Sequence, residues 1–306
     1  MNKLGHFLNV LKNFLLVKLR HRPRFDKKTI VPKWYTPATP APLTSEPVII
    51  WIGQATFLIQ IDGINILTDP IFFDTSILYK RLIPPGVAIN KLPKIHVVAI
   101  SHNHIDHMDK RSMMAIKHHK PLILAPYGDG RWFSKKGFKN VIENKWGNKH
   151  EITGFSNQKV KFTYLPASHW TGRYIFDFNR SICGSWMIEH NKHCIYFAGD
   201  SSYDSHFKDI AKDFKCIDTA LLPIGPVEPR GMVCHAHLDS TQAIQAFIDL
   251  NAKQLIPMHW GTFQFGAEEF EVPITLLNSA WSKFQAELVD KKLLILKFGE
   301  IKNLIS

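Results

Sequence analysis

A continuous apolar run at residues 97–100 ends in Ser101, and directly behind it stand His102, His104, Asp106 and His107 in an H-x-H-x-D-H pattern. No other stretch restricts the fold so tightly. Four apolar residues in succession describe a strand buried on both faces, and such a strand delivers polar side chains only at its end, where the chain leaves the sheet. In an extended turn His102 and His104 point to one side, while Asp106 and His107 follow around the bend and reach a second point. One short loop therefore feeds two metal sites. Imidazole and carboxylate donors without thiolate suit zinc first, and the same donor set admits iron or manganese.

The same signal recurs downstream. His169 follows a run at 160–165, Asp200 follows 195–198, and His259 follows 255–258. Taken singly, His169 or His259 reads as a structural histidine. With the first motif they read as ligands, because the ends of neighbouring strands converge on one edge of a sheet. Further strands are expected at 48–52, 55–61, 64–68, 122–125, 185–188, 219–223 and 254–258, with the Asp62-Gly63 pair marking a hairpin turn. Helices are expected at 110–117, 203–214, 240–250 and 274–289. Strands in both halves with helices between them predict an α/β sandwich rather than an all-α or all-β fold.

Charge divides the chain unevenly. Lys and Arg number 38 against 26 Asp and Glu, a net charge of +12, which biases the surface toward phosphates, nucleic acid or anionic lipid. Eight of the cations and one acid, Asp26, lie in the first thirty residues, so seven of the twelve net charges are there. Leu4, Phe7, Leu8, Leu11, Phe14 and Leu15 recur at helical spacing, while Lys12 and Lys18 interrupt the apolar run far short of the ~20 residues of a membrane span. Two readings of this basic amphipathic helix stand: it rests on anionic lipid, or it docks on its own domain. Pro32, Pro37, Pro40, Pro42 and Pro47 then forbid helix and sheet interior alike and predict an extended arm over 31–47. The expected organisation is an N-terminal segment at 1–30, that arm, and one catalytic domain at 48–302. Cys183, Cys194, Cys216 and Cys234 show no C-x-x-C spacing and read as reduced thiols, which with no cleavable leader in view predicts a cytoplasmic protein, peripheral on the membrane if the first helix binds lipid.

The order of these motifs resembles the metallo-β-lactamase superfamily, in which H-x-H-x-D-H is followed by a lone His, a lone Asp and a final His. The resemblance implies an αββα sandwich in which His102, His104 and His169 bind one metal, Asp106, His107 and His259 a second, and Asp200 bridges them beside a hydroxide. True β-lactamases of the superfamily generally carry Cys where this chain has Asp200 and lack the second metal-binding His of the first motif, so antibiotic hydrolysis is not expected. Over residues 47–271 the chain is similar to the branch that contains N-acylphosphatidylethanolamine-hydrolysing phospholipase D and its bacterial relatives. The matching stretches are Thr68-Asp69-Pro70, His169-Trp170 with Arg173, Asn179-Arg180 with Gly184-Ser185-Trp186, Ala198-Gly199-Asp200, Glu228-Pro229-Arg230, His237-Leu238-Asp239 and Met258-His259-Trp260-Gly261-Thr262-Phe263. Ser201-Ser202-Tyr203 departs from the Thr-Gly-Tyr frequent in that branch, and the first thirty residues align with nothing in it. Those departures leave the substrate open.

The chemistry expected of such a site is hydrolysis of a phosphodiester. Two divalent cations, zinc by preference, lower the pKa of a bridging water to about 7 and stabilise the oxygens of an in-line displacement. Asp106 and Asp200 then belong to the catalytic machinery together with His237, whose unperturbed pKa of about 6.5 suits protonation of a leaving alkoxide. The other reading of His237 is a polar residue ahead of the helix that starts at Ser240. Asp69 either orients a ligand imidazole or caps a turn. Trp170, Arg173 and Arg230 line the substrate path, with core packing or surface ion pairs as their alternatives. A phospholipase D-type enzyme acting on N-acylphosphatidylethanolamine or a similar phospholipid leads. An RNA or nucleotide phosphodiesterase and a sugar-phosphate lactonase follow. The expected partner is an anionic lipid surface rather than a specific nucleic acid, because the positive charge is concentrated in the tail and no aromatic-basic RNA-binding pattern is present. Oligomeric state is left open.

Overall fold

The computed structural model describes residues 25–304 apart from 78, 175 and 192, so the apolar stripe between Leu4 and Leu15 lies outside the described residues. Fourteen strands fall into two seven-stranded sheets. The first sheet holds β1 Val48–Gly53, β2 Thr56–Ile61, β3 Ile64–Thr68, β4 Val97–Ala99, β5 Leu122–Pro126 and β6 Val141–Asn144. The second holds β7 Lys149–Thr153, β8 Lys159–Pro166, β9 Gly184–His190, β10 His193–Phe197, β11 Thr219–Pro223, β12 Gln254–Met258 and β13 Lys292–Leu293. The last strand, β14 Ile301–Asn303, returns to pair antiparallel with β1 at the edge of the first sheet. Helices α1 Lys27–Trp34, α2 Lys110–Ile116, α3 Gly130–Ser134, α4 His206–Asp213, α5 Arg230–Val233, α6 Ser240–Asp249 and α7 Val272–Lys283 complete the αββα sandwich.

Side-chain alternation explains the layering. In β1, Ile49 and Trp51 join the core shared with the second sheet, whereas Ile50 and Ile52 join the separate core under α2 and α3. A strand covered on both faces has no face to leave polar, which is why β1 and β4 read as unbroken apolar runs, while the polar Gln60 of β2 and Asn65 of β3 are buried with hydrogen-bond partners. On the second sheet, Phe207 and Ile210 of α4, Ile244 and Phe247 of α6 and Leu277 of α7 are buried in the larger core. The strands expected from sequence are all present, and the first three form the expected antiparallel meander. The four strands not anticipated, β6, β7, β13 and β14, are short and carry exposed or half-buried positions. An edge strand that buries so little has no periodic signal to read.

The proline-rich arm differs from expectation at its start. Pro32 lies inside α1, a helix capped by Asp26, whose side chain accepts from the Lys28 N–H. Ile30, Val31 and Trp34 pack this helix against the core, and that burial offsets the missing proline hydrogen bond. Beyond α1 the arm is extended, as expected, but it is strapped down: Tyr35 bridges to Phe298, Ala38 to Val87, and the Gln60 and Asn65 side chains donate to the carbonyls of Ala41 and Pro42.

The two sheets are joined immediately behind the metal-ligand motif. Trp186 of β9 is fully buried, and its Nε1 donates to the Ile100 carbonyl at 2.9 Å. The Tyr164 hydroxyl of β8 donates to the Ser101 carbonyl at 2.8 Å. Trp186→Ala removes both the ring and the donor, so it is expected to destabilise the fold by about 3–5 kcal/mol. An unchanged midpoint in urea denaturation would show that this anchor carries no weight.

Candidate metal centre

Each donor sits where a strand hands over to a loop. Past β4 the chain leaves the sheet at Ile100 and turns tightly, with the His107 and Met108 N–H groups both donating to the His104 carbonyl. Asp109 then caps α2 by accepting from the Ser112 N–H at 2.7 Å, so the motif is pinned between a buried strand and a capped helix. His169 follows β8, Asp200 follows β10 and His259 follows β12. The parallel pairing of β10, β11 and β12 puts the ends that carry Asp200 and His259 on the same edge.

The expected side chains meet in two groups. His102, His104, His169 and Asp200 form one, and Asp106, His107, Asp200 and His259 form the other, with Asp200 common to both. In the first, His104 Nδ1 lies 2.9 Å from His102 Nε2 and 3.2 Å from His169 Nε2. In the second, His107 Nε2 is 3.3 Å from Asp106 Oδ2 and 3.2 Å from Asp200 Oδ2. His259 Nε2 is 3.4 Å from Asp106 Oδ2 and 3.1 Å from Asp200 Oδ1. Donors bound to one tetrahedral cation at ~2.0–2.2 Å stand roughly 3.3–3.5 Å apart, close to these spacings. His107 Nε2 and Asp200 Oδ1 are buried without a hydrogen-bond partner although donor atoms of the same groups stand 3.2 and 3.1 Å away. The donor set therefore fits a pair of cations.

Hydrogen bonds on the far side of the rings fix which nitrogen faces the site. His169 Nδ1 donates to the Ala236 carbonyl at 2.8 Å, and His259 Nδ1 donates to the Gly225 carbonyl at 2.9 Å. Each turns its Nε2 inward, where a cation can take the lone pair in place of any proton. His107 Nδ1 is 2.7 Å from Asp69 Oδ2, and Asp69 also accepts from the Ser101 N–H at 2.7 Å and from the Ser101 hydroxyl. Ser101 Oγ in turn touches His102 Nδ1 at 2.9 Å. One fully buried carboxylate thus sets two imidazoles, and the structure gives Asp69 the orienting geometry rather than that of a turn cap.

Electrostatics divides the imidazoles. Burial, reinforced by neighbouring imidazoles, holds His102 and His104 well below the ordinary histidine range. Burial also opposes charge on His259, but Asp200 and Asp106 outweigh it and raise this imidazole to about 9. Burial works against ionisation of Asp106 and Asp200 too, yet the contacts with His107 and His259 keep both well below the usual carboxylate value.

The remaining sequence candidates separate. Trp170 is at the site, its ring edge-on to His104 at 3.9 Å. Arg173 does not open onto it: Nη1 donates to the Asn103 carbonyl at 2.8 Å and the Met108 carbonyl at 2.7 Å, so the guanidinium staples the backbone of the motif loop. Arg230 is committed as well, donating to the His237 carbonyl at 3.0 Å and to Gln242 Oε1, with Asp239 3.1 Å from its Nε. Neither arginine is free for a phosphate, a correction that no spacing argument reveals. His237 is at the site, with Nδ1 3.7 Å from Asp200 Oδ2 and without a hydrogen-bond partner. Burial pushes it down to about 3, against the pull of Asp200, so it is neutral rather than the freely titrating acid expected from sequence. Gln54 was missed. Its buried carboxamide nitrogen is 2.8 Å from Asp106 Oδ2 and 2.7 Å from His259 Nε2, joining two donors of the second group. The signal was available, since Gln54 is another polar residue at the end of an apolar strand.

Residues 64–260 match the Beta-lactamase superfamily domain. The chain belongs to the metallo-β-lactamase superfamily. It is 28% identical to N-acyl-phosphatidylethanolamine-hydrolyzing phospholipase D 1 of Caenorhabditis elegans, over 82% of this chain and 74% of that protein. It is 32% identical to a metal-dependent hydrolase of Koribacter versatilis, over 70% of this chain and 84% of the other. A metallo hydrolase from Ignicoccus hospitalis superposes with a TM-score of 0.65 at 20% identity, covering 85% of this chain and 99% of that one, which shows the shared fold. As a superfamily member with these relatives, the protein is a metal-dependent hydrolase.

Two outcomes follow from the donor geometry. Gln54→Leu keeps the volume but frees Asp106 and His259, and is expected to weaken metal binding at the second group by roughly 10–100-fold while sparing the first. Competition against a coloured chelator reads the two groups separately, and coincident titrations of wild type and variant would remove this role. With His259 at about 9, the metal-free chain is protonated there at neutral pH, so metal uptake must release that proton. Affinity should then weaken about tenfold per displaced proton for each pH unit below that value, measured by calorimetry in buffers of different ionisation enthalpy.

Proposed function

We propose that the protein is a binuclear phosphodiesterase of phospholipase D type, acting on N-acylphosphatidylethanolamine or a similar phospholipid. The observation that carries the reading is Asp200, shared by two donor groups in which bonds on the far side of the ring orient His102, His107, His169 and His259. The name and coverage of the Caenorhabditis elegans relative support the substrate class. In this reading His102, His104 and His169 hold one cation, Asp106, His107 and His259 the other, and Asp200 both. Imidazole and carboxylate donors favour zinc, with iron and manganese compatible. A bound pair supplies Lewis acidity and a water nucleophile ionised near neutral pH.

The chain's own residues then position and exclude. Asp69 keeps His107 and, through Ser101, His102 in the tautomers that point inward. Arg173 holds the motif loop at fixed height by taking its carbonyls, and Arg230 does the same for the loop that carries His237. His237 presents a neutral imidazole beside Asp200, suited to hydrogen-bond a phosphoryl or leaving oxygen rather than to carry a full charge into the site. Trp170 and His104 form an aromatic wall on the first group, and Phe265 stacks over His259 on the second, so an apolar substrate body meets rings on either side.

Metal analysis and a substrate panel test this together. Protein purified without chelator is expected to carry about two metal ions per chain, and His102→Ala to lower that content. N-acylphosphatidylethanolamine should be turned over and chelator should abolish the turnover. Hydrolysis confined to pre-tRNA or to a sugar-phosphate lactone would replace the lipid reading with another reaction of the same fold.

A further inference from the structure

The connection between β8 and β9 carries an exposed aromatic surface directly beside the metal centre. Phe176 is 82% exposed, Tyr174 67%, Phe178 52% and Trp170 36%, all within the nine residues that follow His169. Trp170 stacks on Phe178 at 5.5 Å, and Ile105 of the motif loop is exposed next to them. Large apolar side chains gathered at the surface mark an interaction site. The display is built rather than frayed: the Gly172 N–H donates to Asn103 Oδ1 at 2.7 Å, the Thr171 hydroxyl to the Ser181 carbonyl at 2.8 Å, and Asp177 Oδ1 accepts from the N–H groups of Arg173 and Tyr174.

Cations flank this surface. Lys136 lies 4.0 Å from the centre of the Trp132 ring, on which Arg173 also packs at 5.0 Å, and partial burial together with the charges of Lys110, Arg173 and Lys135 lowers the affinity of Lys136 for its proton. The acids nearby turn oxygens into the fold, Asp109 to the α2 cap, Asp129 to Asn103 and Asp177 to the loop backbone. Aromatic side chains at the tip with exposed lysines at the flank are the arrangement that suits the boundary of an anionic bilayer, where rings sit at headgroup depth and lysines meet phosphates.

We propose that Trp170, Tyr174, Phe176 and Phe178, flanked by Lys110 and Lys135, dock this protein on the surface of an anionic lipid bilayer with the metal centre facing the headgroups. The docking surface stands on exposure and charge alone; its use for presenting substrate rests on the lipid-hydrolase reading. Among the described residues no helix is long and apolar enough to cross a membrane, and surface docking needs none.

The test uses the full, metal-loaded chain with phosphatidylcholine vesicles containing or lacking phosphatidylglycerol. Co-sedimentation is expected with the anionic vesicles only, to weaken with salt, and to fall about tenfold or more in a Tyr174→Ser/Phe176→Ser double variant. Hydrogen exchange of peptides spanning 170–178 should slow on the vesicles, which separates this loop from any contribution of the first 24 residues. Turnover of soluble bis-p-nitrophenyl phosphate should be equal in wild type and variant, showing an intact site. Unslowed exchange across 170–178, or loss of a dimer rather than of vesicle binding in the variant, would overturn the proposal. Absence of any phosphodiester turnover in wild type would instead count against the hydrolytic reading while leaving the vesicle result to stand.

Discussion

Asp106 and Asp200 are buried carboxylates that face the same two imidazoles, His107 and His259, and this concentration of desolvated charge governs the rest of the molecule. Anions placed together in a low-dielectric interior are tolerated only with positive charge among them. In the metal-free chain protons on His107 and His259 supply part of it; cations do so in the working enzyme proposed above. The same charge distribution that keeps these carboxylates ionised therefore links metal affinity to pH.

Holding such a cluster requires a second layer of bonds, and most of the polar residues near the site serve that layer. Asp69 ties β3 to the motif loop through Ser101 and His107, and the carbonyls of Ala236 and Gly225 set His169 and His259. Asn103 links Asp129 to the aromatic loop, and Arg173 closes the arrangement by taking the motif-loop carbonyls. The imidazoles are thus directed by Asp69, Ser101, Gly225 and Ala236, which come from separate segments, a level of preorganisation that one loop cannot supply.

How much of this can be read without coordinates depends on whether a residue's signal is local. The buried strands were legible because packing on both faces demands mostly apolar runs, and α2, α4, α6 and α7 because helical periodicity is local, with Asp109 and Asp239 capping α2 and α6. Edge strands β6 and β7 were not, since exposure leaves their sequence free to mix polar and apolar residues. Gln54 illustrates a weak signal: a lone polar residue after an apolar strand looks like any turn until His259 and Asp106 are seen beside it. Arg173 and Arg230 illustrate a misleading one, because a guanidinium near a metal-binding motif suggests an anionic substrate, whereas here both are tied to carbonyls of the loops that carry the site residues.

The amino-acid order by itself determined the donor set, the strand ends that carry it and the superfamily, because metal-binding chemistry and two-sided burial both impose patterns on consecutive residues. Tertiary structure alone decided which imidazole nitrogens face inward, the neutrality of His237, the commitment of Arg173 and Arg230 to backbone carbonyls and the exposure of the aromatics between 170 and 178. Those properties arise from groups far apart in the chain, and the field or hydrogen bond that one imposes on another exists only once folding has brought them within a few ångströms.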